Sequence, residues 1–595
     1  MKVTLVSIHI KKNAPEAIPL AAAMLKSACK DLADISLAEF VLEDSESRIL
    51  SELEKEHADA IGFCVYLWNR EIVRNVIEII RKKHPGIILF AGGPDVTADI
   101  SRFIKNTSVD FAISGEGENA LREVLKMINE TGSIENLHTI QGVGTKHFPN
   151  AEAAVFTQDL SQIPSPYLSG ILDVKKYSGI LWELSRGCPF QCAFCYESKG
   201  SPSVRQFPIT RIEKELELFE KNGVEQIFVL DPTFNRNKQR AKQILQMIKE
   251  KAAGIHFTFE VRTEFLDKEL AELFASISCG LQIGLQSTNQ AALLQLNRKF
   301  DSNSYRKKIN LLNECAVIFG LDLIFGLPKD SFENFCRSVD YAVSLQPNNL
   351  DIFRLAVLPG TKLYDNIAEC GNGINFMTET PYLVLDTPDF PKHDLLQAEN
   401  LKKACDIFYN KGRAVGWLYI ILETLKISPS AFFLKFYEWL KIHNRLHEHY
   451  SDDEIFQLQI KYTKFLFEQK NKAALSLPVC DIIKLHNSLN YSLTSDCSVL
   501  SKKHDYELPK SSKLLELHYD VDDLFQAGII PLKYWIKEYK QKKTFAVTWN
   551  KNGNSDVMMI DKKWFELLKN IDNKNKFTAD EKEFINYCID EKILI

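Results

Sequence analysis

The chain has 595 residues, enough for three or four domains, and its 45% hydrophobic and 25% charged content is that of a globular protein rather than a disordered or fibrous one. A formal net charge of −5 leaves no electrostatic footprint for nucleic acid, so we expect no nucleic-acid partner. No run of 18 apolar residues occurs, because even the segment 416–440 is interrupted by Glu423, Lys426 and Pro429, and we expect no membrane span. Most of the 13 cysteines are scattered without a pairing pattern, which favours a reducing, cytoplasmic location.

The first 130 residues alternate between strand-like and helix-like hydrophobic periods. The predicted elements are 3–8, 17–29, 35–40, 45–54, 60–65, 70–82, 87–90 and 109–114. This alternation predicts an α/β domain with a doubly wound, Rossmann-like parallel sheet, and such sheets bind ligands at the carboxyl ends of their strands. Two glycine-bearing turns lie at such ends, Gly92-Gly93 and Gly115-Glu116-Gly117, and glycine allows the backbone to approach a flat ligand or a phosphate closely.

Residues 131–175 have no strong period and contain three prolines, so they are predicted to form an irregular linker. Strand–helix alternation then resumes over 176–375, with predicted strands at 180–184, 226–230, 255–261, 281–285, 317–324 and 350–357. The first helix of this region is expected to begin at a capping box formed by Thr210 and Glu213. Polar residues collect at the carboxyl ends of these strands, where barrel chemistry takes place: Asp231, Asn235, Glu260, Arg262, Gln286, Ser287, Asp322 and Arg354.

Three cysteines, Cys188, Cys192 and Cys195, follow the first of these strands in the run Cys-Pro-Phe-Gln-Cys-Ala-Phe-Cys. With 13 cysteines in the chain, about 0.006 such triplets are expected by chance. Thiolates select zinc or iron–sulfur clusters, and a closed zinc site needs a fourth protein ligand that the motif does not contain. A zinc site or a set of buried thiols is the alternative to a four-iron cluster that keeps one iron free of protein.

This cysteine motif resembles that of the radical S-adenosylmethionine (SAM) enzymes, and six strand–helix units resemble their partial barrel. The resemblance implies that the free iron binds SAM and that Phe194 lies by the adenine. It also makes six residues at the strand ends candidate cofactor contacts: Asp231, Glu260, Arg262, Gln286, Ser287 and Arg354. Asp231 stands where the family has a glycine-rich turn for the SAM amino group, and those glycines are missing here.

The two glycine turns ahead of the cysteines resemble the cobalamin-binding domain of the cobalamin-dependent radical SAM class. The resemblance makes both turns candidate cobalamin contacts, through Gly92, Gly93, Gly115, Glu116 and Gly117. The segment after the third strand, with Trp68 and Asn69, is implied to contribute to the lower face of the corrin. The Asp-x-His-x-x-Gly motif of methionine synthase is absent after the first strand, so we expect His9 to serve in packing and no histidine to bind cobalt.

The resemblance implies a [4Fe–4S] cluster, SAM and cobalamin as cofactors. It favours a methyltransferase in which a 5′-deoxyadenosyl radical activates an unactivated carbon and methylcobalamin delivers the methyl group. The substrate would be a small molecule, peptide or lipid, and the electron donor a low-potential flavodoxin or ferredoxin. Ring contraction and oxidative cyclisation remain alternatives, as does, from another class, a non-catalytic cobalamin or iron–sulfur sensor. A methylthiotransferase would need three further cysteines in the first domain, which has only Cys29 and Cys64.

Residues 376–595 resemble nothing that assigns them a role. The span 394–472 is helical by period, with Ser428-Pro429 as a cap and first turn. A hairpin of 544–549 and 556–560 around Asn552-Gly553 precedes two helices, of which the second is expected to begin at a capping box of Thr578 and Glu581. These elements predict a small winged-helix-like module, which resembles the leader-peptide-binding domains of modified-peptide maturases; a structural cap over the active site is the alternative. The predicted domains are therefore 1–130, the linker 131–175, 176–375 and 376–595.

Overall fold

The structure is a computed structural model that describes residues 1–12, 17–151, 156–199, 201–370, 373–494, 506–571 and 576–594. The chain forms two compact units. The first comprises Met1–Ser338 and Ile352–Leu395, and the second comprises Val339–Asp351 and Leu396–Ile595. In the described ranges, no helix combines the length and the apolar character that crossing a bilayer requires.

The N-terminal part of the first unit is a six-stranded sheet with helices on both faces. Its strands are β1 (Lys2–His9), β2 (Asp34–Val41), β3 (Ala60–Cys64), β4 (Ile88–Gly92), β5 (Phe111–Ile113) and β6 (Val143–Thr145). Its helices are α1 (Leu20–Cys29), α2 (Glu46–Lys55), α3 (Arg70–Lys83), α4 (Pro94–Ala98), α5 (Ile100–Lys105) and α6 (Gly117–Thr131). The strand order β2-β1-β3-β4-β5-β6, with β1 to β5 parallel, is the predicted doubly wound arrangement.

Two separate hydrophobic cores cover the faces of this sheet. Residues of α2, α3 and α5 pack on one face and residues of α1 and α6 on the other. Because both faces are buried, the central strands are apolar throughout, and all five residues of β3 are buried. This two-sided burial gave the near-continuous apolar runs that made the strands predictable.

The sequence prediction was wrong at two places in this domain. Helix α1 begins at Leu20 rather than at residue 17, because Pro19 precedes it and lacks the amide hydrogen that would continue a helix. The segment predicted as a linker contains β6, which pairs antiparallel with β5. A strand of three residues is too short to show a period of two.

The second sheet of this unit carries the cysteine motif. Its region contains β7 (Ile180–Trp182), β8 (Ser185–Arg186), β9 (Arg205–Gln206), β10 (Gln226–Val229), β11 (His256–Val261), β12 (Cys279–Gln286), β13 (Ile318–Phe325) and β14 (Asn349–Arg354). The helices are α7 (Ile209–Lys221), α8 (Lys238–Lys251), α9 (Lys268–Ala275), α10 (Gln290–Gln295), α11 (Ser302–Glu314), α12 (Phe332–Val343) and α13 (Lys362–Cys370). Six strands follow one another across the sheet in the order β14-β13-β12-β11-β10-β7, as the six predicted strand–helix units require of a partial barrel.

Two details of this region differ from the prediction. The capping box is absent, since α7 begins behind Pro208 with no side-chain cap, and the Glu213 carboxylate instead accepts from Lys251 Nζ at 2.6 Å. The first strand ends at Trp182 rather than at residue 184, because the chain leaves the sheet to form the β8–β9 ladder.

The remaining elements are mostly helical, as expected. They are β15 (Asn375–Phe376), β16 (Val384–Asp386), α14 (Lys392–Cys405), α15 (Leu418–Leu425), α16 (Pro429–Ile442), α17 (Asp452–Gln469), α18 (Ser476–Thr494), β17 (Lys513–Leu517), α19 (Val521–Gln526), α20 (Leu532–Glu538), β18 (Thr544–Lys551), β19 (Asn554–Ile560), α21 (Lys562–Lys569) and α22 (Ala579–Asp590). The Ser428 cap, the hairpin and the capping box of Thr578 with Glu581 are confirmed. The prediction missed β17, which makes the hairpin a three-stranded sheet.

Candidate functional site

The cysteine loop, residues 187–204, connects β8 to β9. These two strands pair antiparallel and so hold the two ends of the loop together. Gly187 begins the loop at a φ of +95°, and a Cβ there would lie 2.4 Å from the Ser203 carbonyl oxygen. Only glycine combines this left-handed backbone with so close an approach. The amide of Cys188 then donates to the Ser201 carbonyl at 3.2 Å, so the two ends of the loop hold each other.

The three thiols of the cysteine loop lie close enough to influence one another. Burial raises the pKa of the Cys195 thiol to about 11, and the charges of Glu197, Cys192 and Cys188 add to the rise. Within the described ranges, no group of three or more His, Cys, Asp or Glu side chains is placed to hold a single metal ion. Three soft thiolates on one loop are the donor set that an iron–sulfur cluster with a free iron uses.

The loop is braced by two neighbouring segments that follow barrel strands. The Ala193 amide donates to the Leu296 carbonyl at 3.1 Å, and the Leu363 amide donates to the Ala193 carbonyl at 2.8 Å. Arg298, three residues after α10, places Nη1 3.9 Å from Cys192 Sγ. Sequence reasoning did not find Arg298, because its position beside a cysteine 106 residues away depends on the tertiary fold.

Asp231 serves the backbone that leads into the cysteine loop. Its carboxylate accepts from the amides of Leu184 and Ser185 at 2.9 Å each and from Ser185 Oγ at 2.6 Å. Burial nevertheless raises the pKa of Asp231 to about 6. In the structure, this predicted SAM contact holds the turn between β7 and β8 through both of its oxygens.

Arg262 links the third barrel strand to the cysteine loop. Its guanidinium lies 3.9 Å from the centroid of the Phe190 ring, a cation–π contact, and it pairs with Glu264 at 2.5 Å. The Asn235 side chain bonds both the amide and the carbonyl of Arg262, at 3.0 and 2.9 Å, and so fixes its backbone. Burial, with the charge of Glu197, raises the pKa of Glu260 to about 7.

The other predicted SAM contacts lie along the same ends of the strands. Gln286 is buried at the end of β12, next to a bulge and with a φ of +68°. Ser287 Oγ accepts from the Asn289 amide at 3.0 Å, and Arg354 Nε donates to the Val384 carbonyl at 2.7 Å. Phe194 is half-buried on the loop between Cys192 and Cys195.

The two glycine turns of the first domain are joined by Thr97, which sequence reasoning missed. Thr97 Oγ1 donates to the Gly93 carbonyl at 2.9 Å and accepts from the Gly115 amide at 2.8 Å. Gly93 has a φ of +116°, and a Cβ there would lie 2.5 Å from the Val65 carbonyl oxygen. Gly92 is the last residue of β4, and Gly117 begins α6. The predicted turns thus form one continuous edge at the carboxyl ends of β4 and β5.

Trp68 lies on the same edge and is held in one orientation. Its indole Nε1 donates to the Ile8 carbonyl at 3.3 Å, and its ring stacks on Tyr66 with centroids 4.5 Å apart. Almost half of the residue, 47%, is exposed, so a fixed aromatic face is available to a flat ligand. Asn69, by contrast, is fully buried and bonds the carbonyls of Ile8 and Cys64 at 3.1 Å each, which fixes the turn.

Tyr196 and Asp95 carry buried polar atoms between the cysteine loop and the glycine turns. Burial raises the pKa of Tyr196, and Thr97 and Asp95 lie close enough to affect it. Neither Tyr196 Oη nor Asp95 Oδ2 has a hydrogen-bond partner in the part of the chain that the structure describes. Buried polar atoms normally have hydrogen-bond partners, so this edge fits a ligand that carries polar groups around its periphery. The corrin ring of cobalamin, with its amide side chains, is such a ligand.

Glu116 is engaged by protein groups, whereas the ring nitrogen Nε2 of His9 makes no hydrogen bond within the described residues. His9 Nε2 lies 3.9 Å from Glu39 on β2, and burial lowers the pKa of His9; its packing role stays a prediction. Burial alone would raise the pKa of Glu116, but hydrogen bonding to Arg205 and the charge of Arg186 hold it below its usual value. The Glu116 carboxylate therefore lies against the barrel domain.

Comparison with protein families matches three stretches of the chain. Residues 182–342 match the radical SAM superfamily, residues 7–125 match the B12 binding domain, and residues 372–552 match a protein family of unknown function (DUF4080). A radical SAM domain implies a [4Fe–4S] cluster and SAM, and a B12 binding domain implies cobalamin.

Two curated relatives and one solved structure are similar to the chain. The 2-(S-pantetheinyl)-carbapenam-3-carboxylate methyltransferase of Streptantibioticus cattleyicolor is 26% identical over 56% of this chain and 52% of its own length. The cobalamin-dependent radical SAM methyltransferase TokK of Streptomyces tokunonensis is 26% identical over 51% and 48%. The chain thus spans about half the length of these relatives. The structure of the radical enzyme OxsB with aqua-cobalamin and SAM covers 90% of this chain and 84% of its own at a TM-score of 0.56, and at 15% identity it shows the shared fold.

Proposed function

We propose that this chain, which belongs with the cobalamin-dependent radical SAM enzymes through its B12 binding and radical SAM domains, is a methyltransferase that acts on an unactivated carbon. One observation carries the proposal. Tyr196, directly after the third cysteine, has a buried hydroxyl close to Thr97, which joins the two glycine turns of the first domain. The chain therefore brings the cysteine loop and the candidate corrin edge together, and methyl transfer between cofactors needs that proximity.

When bound, the cluster supplies an electron that splits SAM into methionine and a 5′-deoxyadenosyl radical, and cobalamin supplies a transferable methyl group. The protein positions these groups and keeps water from the radical. Cys188, Cys192 and Cys195 would hold three irons, and Phe194 would lie along the adenine. Trp68 would present its fixed ring to one face of the corrin, with the buried polar atoms of Tyr196 and Asp95 near its edge.

The overall reaction balances with two molecules of SAM and two electrons for each methyl group. One SAM leaves as S-adenosylhomocysteine after giving up its methyl group. The other yields methionine and 5′-deoxyadenosine, whose new hydrogen comes from the substrate carbon. A small molecule, peptide or lipid is the proposed substrate class, a low-potential flavodoxin or ferredoxin the proposed electron donor, and the cytoplasm the proposed location.

The competing reactions predict different products. Ring contraction or oxidative cyclisation would form 5′-deoxyadenosine without adding a methyl group, and a sensor would form neither product. The radical SAM domain and the methyltransferase relatives support an enzyme over a sensor.

The test uses the anaerobically reconstituted holoenzyme with SAM carrying a trideuterated methyl group. Metabolite, peptide and lipid extracts serve as substrate pools, with titanium(III) citrate as reductant. We expect a product in which CD3 replaces one hydrogen, formed together with equal amounts of S-adenosylhomocysteine and 5′-deoxyadenosine. A substrate-dependent product that lacks the label would contradict methylation and favour ring chemistry.

A further inference from the structure

The base of the cysteine loop contains a charge arrangement that the barrel domain does not balance by itself. Arg186 on β8 and Arg205 on β9 lie directly opposite each other in the antiparallel ladder. Both are largely buried, with side chains 12% and 6% exposed. Like charges opposite each other destabilise a β ladder, and buried charges without partners are costly. This ladder therefore needs carboxylates close to both guanidinium groups.

Two of these carboxylates come from the first domain. Glu118 Oε1 lies 2.7 Å from Arg186 Nη2. Glu116 Oε1 lies 2.5 Å from Arg205 Nη2, and its Oε2 lies 3.6 Å from Arg186 Nη1. Glu116 ends the turn between β5 and α6, next to Gly115, and Glu118 is the second residue of α6, directly after Gly117. A predicted cobalamin-binding turn thus neutralises the base of the cysteine loop.

The third carboxylate, Glu183, lies on the barrel side and accepts from Arg186 Nε at 2.9 Å. Glu116, Glu118, Glu183, Arg186 and Arg205 together form what we call the ionic network. Among the residues that the structure describes, Glu183 is the one carboxylate of the barrel domain that forms an ion pair with either guanidinium group. The planar guanidinium groups of Arg186 and Arg205 also restrict the orientation of the carboxylates that they bind, since bidentate and charge-assisted hydrogen bonds allow only a narrow range of geometries.

We propose that the ionic network is a positioning device that sets the separation between cobalamin and the iron–sulfur cluster. Arg186 lies two residues before Cys188, and its partner Glu118 lies one residue after the Gly115-Glu116-Gly117 turn, so the network joins the two cofactor sites by a short path. This inference rests on the proposed function. Of the two reactions of SAM, the cleavage at the cluster uses the barrel domain alone, whereas methyl transfer to the corrinoid depends on the distance that the network fixes.

The two reactions can be measured separately without a substrate. With titanium(III) citrate supplying the electrons, SAM gives its methyl cation to the electron pair of cob(I)alamin and leaves as S-adenosylhomocysteine. At the reduced cluster, SAM accepts one electron and its carbon–sulfur bond breaks. Methionine departs, and the deoxyadenosyl radical takes a hydrogen atom from a buffer or protein C–H bond to give 5′-deoxyadenosine.

The test variant is Glu118→Gln, which removes one charge on the side of the network remote from the cysteines. The holoenzyme is reconstituted with cluster and hydroxocobalamin and supplied with SAM alone. We expect wild-type iron and cobalamin contents and a 5′-deoxyadenosine rate within about twofold. The single-turnover rate of S-adenosylhomocysteine formation should fall about 10- to 100-fold, since a misplacement on the order of 1 Å has effects of this size.

A spectroscopic readout tests position independently of turnover. Pulsed electron paramagnetic resonance measures the dipolar coupling between Co(II) and the reduced cluster. We expect Glu118→Gln to shift or broaden the distance distribution, and Arg186→Gln to do the same. Arg186→Lys keeps the charge without the fork and should restore part of the wild-type distribution.

Arg122→Gln is the matched control, because Arg122 pairs with Asp31 inside the first domain and away from the barrel. It should leave both rates and the distance unchanged. The proposal would be overturned if Glu118→Gln kept the wild-type distance between Co(II) and the cluster and the wild-type rate of S-adenosylhomocysteine formation. A parallel fall in the rates of S-adenosylhomocysteine and 5′-deoxyadenosine formation would overturn it as well. Wild-type enzyme that forms 5′-deoxyadenosine but no S-adenosylhomocysteine would contradict the proposed function instead, and the dipolar distance would still test the network.

Discussion

Cys192 is the buried member of the cysteine triplet, while Cys188 and Cys195 are half-buried. It also has Arg298 beside its sulfur at 3.9 Å. Cys192 is therefore the member of the triplet that the protein encloses most.

We expect Cys192→Ala to lose the cluster and to form no measurable 5′-deoxyadenosine, because two thiolates do not hold a four-iron cluster in place. Iron and sulfide analysis of the anaerobically reconstituted protein, with chromatography of the nucleoside products, checks this. Cys315→Ala is the control, since Cys315 lies outside the motif and should be dispensable for cluster binding and for 5′-deoxyadenosine formation. Full iron content and SAM cleavage in Cys192→Ala would refute the cluster assignment.

Asp231 gives a prediction for the pH dependence of stability. Burial raises its pKa from 3.8 to about 6, so the folded protein holds this proton more tightly than the unfolded chain does. The group therefore stabilises the fold most below pH about 4, and this contribution of about 1–3 kcal/mol is lost as the pH rises through about 6. Asp231→Asn should remove that loss.

The measurement compares urea midpoints of wild type and Asp231→Asn between pH 4 and pH 7. The urea midpoint of Asp231→Asn, relative to that of the wild type, should rise as the pH increases from 4 to 7. Asp34→Asn, on the exposed start of β2, should show no such change. A difference that stays constant with pH would show that Asp231 keeps an ordinary pKa.

Among the secondary-structure connections, the β4–α4 turn is one that has no room for a side chain. Gly93→Ala would place a Cβ 2.5 Å from the Val65 carbonyl oxygen at a φ of +116°, so the turn must move. We expect a loss of stability of about 1–3 kcal/mol and a cobalamin affinity at least tenfold weaker. Thermal unfolding and absorbance titration with hydroxocobalamin measure the two effects.

Gly86→Ala is the matched control for this turn. Gly86 lies before β4, the strand that Gly93 follows, but nothing lies within 4 Å of a Cβ built at Gly86. Its variant should keep wild-type stability and cobalamin affinity within error. Equal effects of the two substitutions would show that close packing at Gly93 has no special role in binding.

Elements with a clear hydrophobic period were predictable, and short strands and one of the two predicted capping boxes were not. The six barrel strands and the first three helices of the first domain appeared within a few residues of their predicted bounds, whereas α4, α5 and α6 had not been predicted. Buried parallel strands give the continuous apolar runs that made the strands predictable. The three-residue β6 and the strand β17 gave no such pattern. The capping box at Thr210 failed because Lys251, from α8, binds the glutamate that the local pattern assigned to the cap.

At the scale of the whole molecule, the two compact units interleave in sequence, since the second unit includes residues 339–351. Within that unit, Asn410 bonds both backbone groups of Leu350, at 2.9 and 3.0 Å. The Tyr409 hydroxyl donates to the Pro347 carbonyl at 2.5 Å, and the Ser430 amide donates to Asp340 at 2.7 Å. Residues 339–351 thus depend on partners found after residue 395.

We therefore expect the fragment 1–395 not to fold cooperatively, because each buried polar group left without its partner costs about 1–3 kcal/mol. The fragment 1–151 contains all six strands of the first sheet and both of its cores, and it should fold by itself. Circular dichroism and urea unfolding of the two fragments decide this. A cooperative transition in 1–395 that matches the full chain would contradict the dependence.

The sequence by itself determined the two α/β sheets, the three-cysteine motif and the glycine turns, because hydrophobic period and motif spacing are local properties of the chain. Only the tertiary structure decided which distant groups meet. It placed Arg298 beside Cys192, Tyr196 beside Thr97, and Glu118 against Arg186. Such contacts join residues from 68 to 106 positions apart, where no local pattern links them, and burial and charge pairing select them only after the sheets have formed.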